Sequence, residues 1–134
     1  MSTSYDINRI EKTLSRLPSW EERYRFIIDF GRKLPPMDDA LKVESNRVEG
    51  CVSQVWLYAN RDGDIITFTA DSDAMIVKGL VHIAITAFSG QKAADVAAAD
   101  PEALFAKLKL EGHLTPNRRN GFVSLISRMK ALAA

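Results

Sequence analysis

The sequence predicts an α+β fold, with a small antiparallel sheet covered by helices. Three observations predict it. Residues 52–59 and 65–70 are rich in β-branched and aromatic side chains and flank the turn signal Asn60-Arg61-Asp62-Gly63, as a hairpin requires. Residues 71–88 follow as a helical stretch that is apolar on nearly all sides, and such a helix belongs at the centre of a fold. Helical patterns precede and follow this pair of strands without alternating with them, so no βαβ unit is implied.

The elements read in chain order as follows. Ile7, Ile10, Leu14 and Leu17 share one helical face, giving an amphipathic helix over 6–17 that Pro18 ends. Ser19 and Glu22 form a capping-box pattern, and Trp20, Tyr24, Ile27 and Phe30 follow at helical spacing until Pro35-Pro36. Residues 36–49 read as a long polar loop that delivers the chain to Cys51. After the hairpin, Asp71-Ser72-Asp73 supplies capping side chains and early negative charge for the central helix, and Gly90 ends it. On this reading Asp71 and Asp73 are helix-start residues, and Trp56 is a core residue. A short Ala-rich helix is expected near 92–99. Asp100-Pro101 opens another, by the rule of a cap followed by proline. Thr115-Pro116 opens the last, where Phe122, Leu125, Ile126 and Met129 make one stripe.

Composition narrows the function. The chain of 134 residues matches one ordinary domain spanning 1–134. With a net charge of +1, nothing marks a general nucleic-acid binder. Charge is nevertheless uneven: residues 34–75 hold eight acids and three bases, and residues 103–134 hold six bases and one acid. The N-terminus lacks the apolar core of a signal peptide. The most apolar stretch, 74–88, is broken by Lys78 and His82 and is too short for a membrane span. A single cysteine fits a reducing compartment. The expectation is a cytoplasmic protein without a membrane span.

Cys51 is the residue most able to carry covalent chemistry. A lone cysteine is commonly a small buried hydrophobe. This one follows Gly50 at the junction of a polar loop and an apolar run, where functional side chains tend to sit. Arg47 would favour its thiolate, while Glu49, closer in sequence, opposes it. One cysteine with His82 and His113 gives no metal-ligand spacing. His82 lies on the apolar helix and reads as a satisfied core histidine. A Cys–His hydrolase pairing Cys51 with His113 stays open at this point. No glycine-rich phosphate loop is present.

Four ordered motifs carry a family resemblance over about residues 6–130. Asn46-Arg47-Val48 with Gly50-Cys51-Val52-Ser53-Gln54-Val55-Trp56-Leu57 resembles the active-site signature of the SufE family of sulfur-acceptor proteins. Trp20-Glu21-Glu22-Arg23-Tyr24 with Leu34-Pro35 resembles the family's N-terminal helix. The stretch from Ala70 to Gly79 resembles its central helix start, and His113-Leu114-Thr115-Pro116-Asn117-Arg118-Arg119-Asn120-Gly121 its C-terminal motif. One departure is Val52, where many members carry glutamine.

The resemblance implies a curved antiparallel sheet among helices, similar to IscU-type scaffolds. It implies that Cys51 accepts persulfide sulfur from a pyridoxal-phosphate-dependent cysteine desulfurase, SufS-like or CsdA-like, stimulates it, and passes sulfur to an iron–sulfur cluster scaffold. The paralogous CsdE branch shares the motifs. The chain would hold no cofactor or metal itself, since the pyridoxal phosphate belongs to the partner. Monomer and homodimer both stay open. A cluster-binding scaffold is the competing class, disfavoured by the single cysteine. Within the resemblance, Asn46, Gly50, Ser53 and Gln54 support the active-site loop. Asp71, Asp73, His113 and Arg118 are candidates for holding that loop or meeting the partner. The 45–54 loop is expected to pack Cys51 inward in the free protein and to turn it out on the desulfurase.

Overall fold

The structure is a computed structural model describing residues 6–50, 53–110 and 114–134. Helix α1 (Ile7–Arg16) starts where the Asp6 carboxylate accepts the Arg9 N–H at 2.8 Å. Helix α2 (Trp20–Gly31) starts where Ser19 Oγ accepts the Glu22 N–H at 3.2 Å, as the capping pattern requires. The stretch read as a long polar loop contains two short 3₁₀ turns, Asp39–Leu41 and Glu44–Asn46. Met37 and Val48 on it are buried.

Strands β1 (Val55–Asp62) and β2 (Ile65–Ser72) pair antiparallel from Val55↔Ser72 to Asp62↔Ile65. The hairpin turn is therefore Gly63-Asp64, displaced from the expected 60–63. Pairing extends to Asp62, and Gly63 takes the positive φ of 61° that the first position of this two-residue turn needs. A two-residue strand β3 (Gln91–Lys92) joins the far edge of β2, giving the order β1-β2-β3. Gly90, with φ of 82°, makes the return after α3 (Met75–Phe88).

Helix α4 (Ala93–Ala97) and helix α5 (Pro101–Lys107) follow, the latter capped by Asp100 on the Glu102 and Ala103 N–H groups. Helix α6 (Pro116–Ala133) starts where Thr115 Oγ1 accepts the Arg118 N–H. The arrangement is the expected α+β one.

Alternation puts Val55 and Leu57 of β1, and Ile66, Phe68 and Ala70 of β2, on the buried face. Helix α3 packs on that sheet and against α1, α2 and α6. The expected stripe on α6 is buried in full: Phe122, Leu125, Ile126 and Met129 are each 0–2% exposed. Helices α2 and α3 touch backbone to backbone. A Cβ on Gly31 would lie 2.6 Å from the Gly79 nitrogen, and one on Gly79 would strike Ile27. Glycine at both positions permits the approach that seats α3 under the sheet. His82 is satisfied as expected. Its ring stacks on Phe30 at 3.9 Å, and Nδ1 lies 2.7 Å from the Phe30 carbonyl oxygen. Burial, more than any other influence, holds its pKa below 6.5, and Lys33 adds to that, against the opposing pull of the Phe30 carbonyl.

Candidate functional site

Two anchored arms flank residues 51–52. Cys51, Val52 and His113 lie outside the described residues, as does any account of whether Cys51 faces inward. The incoming arm is fixed from several sides. Asn46 Nδ2 donates to the Leu41 carbonyl at 2.8 Å, closing the two 3₁₀ turns on each other. From α6, Arg128 donates to the Ser45 and Arg47 carbonyls at 3.0 and 3.3 Å. The Val48 N–H donates to the Val55 carbonyl at 2.8 Å, and Arg47 bridges Trp56. Gly50 then turns with φ of 86°, and a Cβ there would lie 2.6 Å from Ser124 Oγ on α6. Glycine is needed at this position on both counts.

The outgoing arm is held by Asp73. Its Oδ1 accepts the Gln54 N–H at 3.1 Å, and its own N–H donates to the Gln54 carbonyl at 3.3 Å. This corrects the reading of Asp71-Ser72-Asp73 as helix caps. Strand β2 continues through Ser72, α3 begins at Met75, and no side chain caps it from the Ala74 position. The three polar side chains have other partners. Ser72 Oγ accepts the Ala74 N–H at 3.3 Å.

Asp71 is buried, with Lys42 Nζ 3.0 Å from Oδ2, Lys78 Nζ 3.4 Å from Oδ1, and the Ser72 N–H 2.8 Å from Oδ1. Burial pushes the Asp71 carboxyl up, but the hydrogen bonds from Lys42 and Ser72 and the Lys78 charge together bring it below 3.8. The same carboxylate raises the Lys42 pKa above 10.5. Lys42 also stands 5.8 Å from the Trp56 ring, which is half-buried rather than a full core residue.

Beside the outgoing arm lies a cleft of about 260 Å³. Ser53, Val55, Ala74, Ile76 and Leu80 line one side, with Thr115, Asn117, Arg118 and Phe122 from the start of α6 on the other. Ser53 and Arg118 therefore share one cavity. A cation in the first turn of a helix is disfavoured by the dipole. Here the Arg118 guanidinium sits 5.5 Å over the Tyr24 ring, a cation–π distance that offsets it. The walls are mostly apolar, with the polar side chains of Ser53, Thr115, Asn117 and Arg118 among them. Among the described residues, no three of histidine, cysteine, aspartate and glutamate are grouped to hold a metal.

Lys42, Lys78, Arg128 and Tyr24 were not legible as site residues in the sequence. Lys42, Arg128 and Tyr24 meet their partners across 29 residues or more, and Lys78 meets Asp71 across the junction of β2 and α3, where no local spacing signals the contact.

The model of the SufE domain, described as an iron–sulfur metabolism associated domain, matches residues 8–133. The chain belongs to the SufE family. SufE-family membership gives it a role in iron–sulfur metabolism. It is 40% identical over 131 residues to an uncharacterized SufE-like protein of Rhizobium meliloti (strain 1021), covering 95% of this chain and 94% of the relative. An uncharacterized SufE-like protein of Rhizobium etli is 41% identical over 118 residues, covering 85% of this chain and 80% of the relative. The fold is similar to the solution structure of a hypothetical protein from Thermus thermophilus. The TM-score is 0.77 at 21% identity, over 95% of this chain and 92% of that one.

Proposed function

We infer that the protein is a cytoplasmic sulfur acceptor and carrier, with Cys51 as its transfer thiol. The donor is the persulfide of a pyridoxal-phosphate-dependent cysteine desulfurase. Cys51 first loses its proton to solvent or a neighbouring base, because the thiolate is the nucleophile. The thiolate attacks the outer sulfur of the donor persulfide. A sulfur–sulfur bond forms on Cys51, the one in the donor breaks, and the donor cysteine leaves as a thiolate. No net oxidation occurs. Repeating the exchange toward a cluster scaffold would deliver the sulfur onward.

The observation that carries this reading, beside family membership, is the pinning of both arms that flank the thiol. Arg128 and Asn46 hold one arm and Asp73 the other. A carrier that must meet a partner's sulfur benefits from a thiol whose flanks are already placed. The single cysteine adds support, because a second thiol nearby would release the cargo as sulfide and leave a disulfide. The test is desulfurase turnover. Alanine production by a SufS-like or CsdA-like enzyme should rise when wild-type protein is added and should not rise with Cys51→Ser. Equal stimulation by both proteins would exclude Cys51 as the acceptor.

A further inference from the structure

The Asp71 carboxylate is a buried charge that the transfer step does not use. Its side chain is 10% exposed, on β2 opposite Trp56. Taking a carboxylate out of water costs several kcal/mol, and an ion pair commonly does no more than offset that cost. A charge kept in such a place is therefore better explained by what it fixes than by stability. What Asp71 fixes is specific. Oδ2 takes Lys42, the cation at the end of the first 3₁₀ turn in the incoming arm. Oδ1 takes Lys78 and the Ser72 N–H, so α3 and the end of β2 hold the carboxylate still. Lys42 also meets Asp39 at 3.4 Å and the Trp56 face. The arm is thus tied to the same strand end from which Asp73 reaches the outgoing arm.

We propose that the Lys42–Asp71 pair is a positioning contact that sets how the loop presents its thiol to the desulfurase. The proposal rests on Cys51 being the transfer thiol. Neither residue touches the reacting sulfur; they act through the course of the incoming arm. Arg128 holds the arm's later part from α6, and Lys42 holds its start from the sheet.

The test uses Lys42→Met, which keeps the aliphatic stem and leaves Asp71 paired with Lys78. Lys42→Arg restores the charge. Three readouts are taken: the alkylation rate of Cys51 in the free protein across pH, KM and kcat for the acceptor in the desulfurase reaction, and the melting temperature. Lys42→Met should be alkylated faster and raise KM by about fivefold, the scale of a partly exposed ion pair. The pH midpoint of alkylation and kcat should stay near wild type, and Lys42→Arg should return both altered readouts. A second variant, Lys42→Met combined with Asp71→Asn, should add nothing to Asp71→Asn alone.

An unchanged alkylation rate with unchanged KM in Lys42→Met overturns the proposal. So does a shifted pH midpoint, which would mean that Lys42 acts through its field on the thiol. Failure of the arginine variant to rescue would also overturn it. If wild type accepts sulfur from no desulfurase, the functional reading fails by itself, and the alkylation arm still decides whether Lys42 and Asp71 position the loop.

Discussion

Replacing Gly50 by alanine tests the turn that brings the chain onto α6 just before the thiol. Two costs add. The backbone is held at φ of 86°, where a residue with a Cβ costs about 1–2 kcal/mol. The new methyl would also lie 2.6 Å from Ser124 Oγ, and moving that hydroxyl off its rotamer costs about 0.5–1.5 kcal/mol. Gly50→Ala should therefore lose about 1.5–3.5 kcal/mol of stability. At this chain length that is a Tm drop of about 5–12 °C.

Urea unfolding followed by tryptophan fluorescence reads the loss directly. Adding Ser124→Ala separates the two costs, because it leaves Ser124 Cβ as the nearest atom at 3.4 Å. The double variant should recover the steric part and keep the backbone part. Wild-type stability in Gly50→Ala would refute the reasoning, and complete recovery in the double variant would refute the backbone part of it.

Gly79→Ala should destabilise by about 2 kcal/mol in urea titration, since overpacking against the α2 backbone outweighs the gain in helix propensity. For His82, the folded pKa lies below 6.5, so the unfolded chain binds the extra proton first as pH falls. Its contribution is present above pH 6.5 and is lost as pH drops through that value toward the folded pKa. Stability measured between about pH 7 and pH 5 should fall less steeply in His82→Gln than in wild type. Asp73→Ala removes the acceptor of the Gln54 N–H, and hydrogen exchange at that amide should accelerate about fivefold while amides in α3 keep their protection.

What was legible in the sequence were the contacts made over two to four residues. Ser19, Asp100 and Thr115 cap their helices as their spacing indicates, because a cap side chain meets an N–H two or three residues on. The buried stripe of α6 follows from its helical spacing, and the central place of α3 from its being apolar on nearly all sides. Asp71, Ser72 and Asp73 belong to the same residue types, yet the first two end strand β2, Asp73 follows it, and none of them side-chain-caps α3. Asp71 finds Lys42 and Lys78, and Asp73 finds Gln54, partners that only the folded chain brings near. The hairpin moved for a local reason, since Gly63 suits the first turn position better than the second. The motifs marked Asn46, Gly50, Ser53, Gln54 and Arg118. The Leu41 and Tyr24 partners, and the Ser124 hydroxyl that leaves no room for a Cβ on Gly50, came only from the fold.

The central claim is that sulfur comes to rest on Cys51. Intact mass spectrometry of the protein after incubation with a cysteine desulfurase and cysteine tests it most directly. The account predicts a gain of one sulfur atom on wild type, removed by a reducing agent and absent in Cys51→Ser. No added sulfur with either a SufS-like or a CsdA-like enzyme, or the same gain on Cys51→Ser, would contradict it.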